Sequence, residues 1–167
     1  MMILTEGNLE ITINNEINAR KFDGPNHGLS HCMRAVDFVV EFSDRYLFVE
    51  VKDPQDPYAP ATTAGNYAQR LLSGRITDEL MNKYRDSLLY EWASGRADKP
   101  VDYSVLIGLS QLTDPDLLVV SKMLQRSVPA LGPNSQPWPR PIVRNCAVFN
   151  IDSWNRTFPD HPVRRLP

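Results

Sequence analysis

The chain has 167 residues, with 18 Lys and Arg against 20 Asp and Glu, a formal charge of -2, and two cysteines, Cys32 and Cys146. That length suits one domain with its own core, and two cysteines exclude a disulfide framework; with no basic excess, any nucleic-acid contact must come from a local patch. The opening MMILTEGNLE lacks the regions of a signal peptide, and runs such as YSVLIGL fall far short of the roughly 20 apolar residues that cross a bilayer, so a cytoplasmic protein without membrane contact is expected.

Leu9, Ile11 and Ile13 alternate before Asn14 and Asn15, which suits a strand and a turn, although residues 14 to 22 could instead form a short helix. Residues 35 to 42 and 46 to 52 are β-rich runs around Ser-Asp-Arg, the strongest hairpin signal in the chain. Pro54, Pro57 and Pro60 then mark a loop. A short helix over Tyr67 to Leu72 breaks at Gly74. From Thr77, expected as an N-cap, Leu80, Met81, Tyr84, Leu88 and Trp92 recur at helical spacing and should pack on a sheet. VDYSVLIGLS reads as a buried strand, Asp114-Pro115 as a helix start, and residues 127–141 as a proline-rich loop. IVRNCAVFNI is a last strand and DSWNRTF a short helix before a polar tail with Arg164 and Arg165. This order predicts a single α/β or α+β domain over 1–167, in which helices pack on a mixed sheet containing an antiparallel hairpin or meander; its core spans about 30–110, followed by a helix-strand extension.

Side chains alternate across a strand, so Val36, Phe38, Val40 and Phe42 should share one face of the hairpin and Asp37, Val39 and Glu41 the other. On the second strand Leu47, Val49 and Val51 separate from Tyr46, Phe48, Glu50 and Lys52. A Ser43-Asp44 loop puts Asp37 across from Glu50; an Asp44-Arg45 loop puts it across from Lys52. Either register gathers all three on one face. Opposed carboxylates repel unless a positive charge lies between them, and Mg²⁺ supplies more of it than Lys52 alone.

Asp37 followed on the next strand by Glu50-Val51-Lys52, with a helix and a strand behind, resembles the PD-(D/E)XK nuclease superfamily. The resemblance covers the hairpin best, and roughly residues 30 to 110 in element order. It implies a restriction-endonuclease-like core in which Asp37 and Glu50 bind Mg²⁺ (or Mn²⁺), the Val51 carbonyl joins them, and Lys52 orients or activates the attacking water. The activity implied is hydrolysis of nucleic acid, DNA ahead of RNA, by the chain alone, by a homodimer or with a partner subunit. The alternative is a catalytically inactive binding or assembly module of the same fold. Val36 stands where the motif has its proline, a backbone position. For the acidic residue of the family's leading helix the candidates are Glu16, if residues 14 to 22 are helical, and Glu10 if they are not.

Other residues carry weaker signals. Arg85, at the edge of the helical stripe, could turn toward a phosphate, and Gln69 is a comparable accessory. Lys83 falls opposite that stripe and should be solvated; Tyr84 and Trp92 should be core. Asp53 reads as a loop or cap residue. His27, His31 and Cys32 lack the paired spacing of a zinc set and suit a loop leading toward Asp37. Arg140, Arg144, Arg156, Arg164 and Arg165 could form a local basic surface.

Overall fold

The computed structural model describes residues 1–24, 28–60 and 62–167, so His27 lies outside the described residues. The chain opens with a hairpin of β1 (Met2–Glu6) and β2 (Leu9–Ile13), turned at Gly7, whose φ of 54° favours glycine. Next come β3 (Asn18–Lys21), β4 (Phe38–Glu41) and β5 (Tyr46–Lys52). Helices α1 (Thr63–Leu72) and α2 (Thr77–Ala93) follow, then β6 (Val101–Ile107), α3 (Asp114–Ser127), β7 (Asn145–Phe149), α4 (Ile151–Thr157) and β8 (Val163–Arg165).

The result is a mixed α/β architecture with two sheets. The larger has the order β3-β4-β5-β6-β7, antiparallel from β3 to β5 and parallel from β5 to β7. The α1–α2 connection between β5 and β6 supplies the crossover that a parallel pair requires. The smaller sheet, β1-β2-β8, is antiparallel. One face of the larger sheet carries Val39, Phe48 and Tyr103 against Leu80 and Tyr84 of α2 and Leu124 of α3. The other carries Phe38, Val40, Val49 and Val51 against Ile11 and Ile13 of the small sheet and Trp154 of α4. Both faces are therefore covered, and this explains why β4 and β5 are apolar at nearly every position rather than at alternate ones. Among the described residues no helix is long and apolar enough to cross a membrane.

Several expectations change. Residues 14 to 22 form a bend and β3 rather than a helix. The first strand of the predicted hairpin is shorter than 35 to 42. Because it begins only at Phe38, Val36 escapes the alternation, packs on the helix side, and donates its N–H to Ser87 Oγ at 2.9 Å. Thr77 does not cap α2; Ile76 holds the N-cap position without a side-chain bond, and Thr77 is buried. The buried face of α2 consists of Thr77, Leu80, Tyr84, Ser87 and Glu91, which leaves Trp92 66% exposed. The polar tail is strand β8, with Glu10 opposite Arg164 and Ile11 opposite Val163. Helices α3 and α4 start where capping boxes place them, at Thr113 with Asp116 and at Asn150 with Ser153.

Candidate metal centre

The β4–β5 register runs from Phe38 opposite Val49 to Glu41 opposite Tyr46, and Phe42 N–H donates to Arg45 O at 2.8 Å, so the turn is Ser43-Asp44. Continued one step past the end of β4, the same register sets Asp37 opposite Glu50. There the Asp37 side chain takes over from the ladder, its Oδ2 accepting the Val51 N–H at 2.6 Å. A carboxylate that ends a strand in this way cannot move without freeing a buried amide. Asp37 is 4% exposed and Glu50 fully buried.

Two ammonium groups meet Glu50. Its Oε1 accepts from Lys83 Nζ at 2.6 Å and lies 2.9 Å from Lys52 Nζ, while Lys83 Nζ is 3.8 Å from Asp37 Oδ1. Lys52 is also 3.6 Å from Glu79. Lys83 is thus not the solvated residue that apolar spacing predicts. Ser87 and Glu91 belong to the buried stripe of α2, so the helix is rolled relative to the Leu80–Trp92 stripe and its Lys83 flank is brought over the carboxylates. Glu50 Oε2 is buried with no hydrogen-bond partner, and Tyr67 Oη shares that condition.

Burial first, and then the facing Glu50, push the Asp37 carboxyl up to about 8 against the pull of Lys83 and the Val51 N–H. Burial also raises Glu50, opposed by Lys52 and Lys83. For Lys52, burial favours the neutral amine, but Glu50 and then Glu79 outweigh it, so the group stays an ammonium above its ordinary range.

Asp37 is also close to Glu6, at the end of β1, and Asp23, just after β3; carboxylate oxygens of these three residues lie within 4.8 Å of one another. Lys21 Nζ is 2.6 Å from Glu6 Oε2 and 3.9 Å from Asp23 Oδ1. Among the described residues this is the sole group of three or more His, Cys, Asp or Glu side chains that could hold a metal ion. The donors of this group suit a hard divalent cation because all are carboxylate oxygens; Glu50, which faces Asp37 across the hairpin, lies outside the group, and its Oε2 is buried without a partner.

The remaining candidates lie elsewhere. Glu16 Oε1 pairs with the Met1 amino group at 3.1 Å, and Glu10 binds Arg164 at 2.7 Å; neither is brought to Asp37. Arg85 is on the opposite flank of α2, its side chain 63% exposed and 3.6 Å from Asp86. Gln69, His31 and Cys32 are exposed. Asp53 is not a simple loop or cap residue: both its oxygens accept from Arg165, at 2.6 and 2.7 Å. Arg144 pairs with Asp102 at 2.5 Å and Arg156 with Asp114 at 2.7 Å, while Arg140 donates to the carbonyls of Ala97 and Lys99. Val51 contributes its N–H to Asp37.

Sequence reasoning missed Lys83, Glu6 and Asp23. Lys83 was recoverable from a wheel that admitted Ser87 and Glu91 to the buried face. No local signal marks Glu6 or Asp23, which reach Asp37 only through tertiary packing. Comparisons with family models, with curated proteins and with solved structures found no match.

Proposed function

We propose that the protein is a Mg²⁺-dependent phosphodiesterase, with Mn²⁺ as a competent substitute, that hydrolyses nucleic acid, DNA ahead of RNA, on a restriction-endonuclease-like core of the PD-(D/E)XK type. One observation carries this reading. A buried pair of carboxylates, Asp37 and Glu50, faces across β4 and β5 with one oxygen orphaned, beside a lysine held cationic one residue past Val51. The meander β3–β5, the helical crossover and the parallel strand β6 are in keeping with such a core.

Asp37, Glu50 and the Val51 carbonyl would hold the ion, with Glu6 and Asp23 as further oxygens beside Asp37. When bound, a divalent ion there supplies Lewis-acid stabilisation of phosphoryl charge and lowers the pKa of water. The chain's own groups do the rest. Lys52, held cationic by Glu50, would donate hydrogen bonds to a phosphate oxygen or to the incoming water and oppose the charge that develops. Lys83 shares its contact with Glu50 Oε1 and so sets how much negative charge the pair presents. The Val51 N–H fixes the Asp37 rotamer so that its second oxygen faces the site.

A second reading, a catalytically inactive binding or assembly module, draws on one feature: two ammonium groups meet Glu50 Oε1 and could satisfy it as a structural ion pair. The two separate by calorimetric titration of Mg²⁺ and Mn²⁺ into wild type and Asp37→Ala/Glu50→Ala, alongside cleavage of mixed DNA and RNA. Binding and cleavage that both vanish in the variant support the nuclease. Folded wild type that binds no metal even with nucleic acid present gives the module the lead.

A further inference from the structure

A trough of about 490 Å³ opens on the flank of α2 turned away from Lys83, and none of its lining residues belongs to the Asp37 site. Leu88, Leu89 and Trp92 of α2 form one wall; Trp138, Pro141 and Ile142, from the proline-rich connection between α3 and β7, form the other. Trp92 is 66% and Trp138 41% exposed, an uncommon placement for two tryptophans on one surface. Water gains little from such a lining, and an apolar body entering it buries hydrocarbon on both sides.

Charge specifies the other end of the occupant. Arg85 and Arg140 stand among the lining residues, and among the described residues no acidic side chain lines the trough. Arg140 forms no ion pair among the described residues and donates to two backbone carbonyls, with Asp98 within its electrostatic reach, while Arg85 makes a long 3.6 Å contact with the half-buried Asp86, whose other oxygen accepts from the Arg34 N–H. Two guanidinium groups beside an apolar wall, in a lining that holds no carboxylate, select an anion attached to a hydrocarbon. A nucleobase suits the trough poorly. The Tyr84 hydroxyl at its floor already donates to Ile142 O, so the edge of a base would lose its water without gaining a partner. The volume also matches a single small ligand better than the broad surface needed by a second protein chain.

We propose that this trough is a binding site for a small organic anion with a hydrocarbon body, of the medium-chain or aromatic carboxylate class, its carboxylate received by Arg85 and Arg140. The site is independent of the phosphodiesterase reading and stands or falls without it.

The probes are 8-anilinonaphthalene-1-sulfonate, octanoate and uncharged octanol, with circular dichroism melting to verify folding and sedimentation to follow association. The expected result is one dye site per chain with blue-shifted emission, displaced by octanoate at about tenfold lower concentration than octanol. Arg85→Gln/Arg140→Gln should erase that preference, and Leu88→Asn should weaken both competitors. Because Arg140 also ties Ala97 and Lys99, the exposed Arg85→Gln alone serves as the control and should lose part of the preference with an unchanged melting temperature. Equal displacement by acid and alcohol, an acid affinity indifferent to both arginines, or no dye binding by folded protein overturns the proposal. So does a dimer that the dye dissociates, which would mean that a second copy fills the trough.

Discussion

Two buried carboxylate sites sit along α2, and they are solved in opposite ways. Glu91 is enclosed by arginines: Arg96 donates to both its oxygens at 3.0 Å, and Arg20, from β3, adds a further bond to Oε2. Burial would raise that carboxyl, but Arg96 and then Arg20 outweigh it and hold it below the ordinary range. About two turns earlier on the same helix, Lys83 reaches a pair of carboxylates that two lysines do not fully serve. There Asp37 is raised to about 8 and one Glu50 oxygen has no partner. Arginine presents a planar fork that matches a carboxylate, whereas an ammonium is a point charge that is easily displaced. A buried acid that is closed off by guanidinium groups stabilises a fold. One left short of charge is poised to take up a cation, and the contrast identifies Asp37 and Glu50 as the site to test.

The sharpest break in that contrast is functional. Asp37→Ala or Glu50→Ala should lower nucleic-acid cleavage in Mg²⁺ by about a thousandfold or more, measured as single-turnover rates, whereas Glu91→Gln should leave cleavage within about threefold of wild type when both are folded. Stability gives a second comparison. Glu91→Gln strands Arg20 and Arg96 and should cost about 2 kcal/mol, less than a fully buried pair because both arginines are partly exposed, seen as a melting point lower by about 6 °C. Lys83→Met removes a cation that competes at Glu50 and should tighten Mg²⁺ binding by about tenfold in calorimetry; unchanged affinity would mean that Lys83 remains on Glu50 when metal is present.

The last contrast is in pH. A carboxyl raised from 3.8 to about 8 binds its proton more tightly in the folded than in the unfolded chain. Its contribution to stability is therefore fully present below about 3.8 and is lost as pH rises toward 8. In chelator-treated protein, Asp37→Asn should accordingly flatten the fall in urea midpoint between pH 4 and 8, while Glu91→Gln should leave that slope in place.

Much of the larger sheet was legible because its strands and helices obey local rules. β5 and β6 are dense in β-branched and aromatic residues, α3 begins at a Thr-Asp-Pro-Asp capping sequence, and parity alone put Asp37, Glu50 and Lys52 on one face. What escaped depends on distant partners. β8 buries only Val163 and is a strand because β2 lies beside it, so Val-Arg-Arg reads locally as a tail. Lys83 escaped because the buried stripe of α2 includes the polar letters Ser87 and Glu91, whose partners come from the Val36 amide and from Arg20 and Arg96. Glu6 and Asp23 share no spacing with Asp37; two separate turns of chain deliver them.

The Val51–Asp37 bond closes a loop of only 14 residues, whereas Lys83 reaches Glu50 across 33. Short loops close faster than long ones, and a hairpin forms before a helical crossover docks on a sheet. During folding the two carboxylates are therefore expected to meet before the ammonium from α2 arrives, in an interval when Lys52 alone opposes their repulsion. Protons or dissolved cations that screen the pair during that interval should therefore speed folding in refolding kinetics, apart from anything they do for the protein once it is folded.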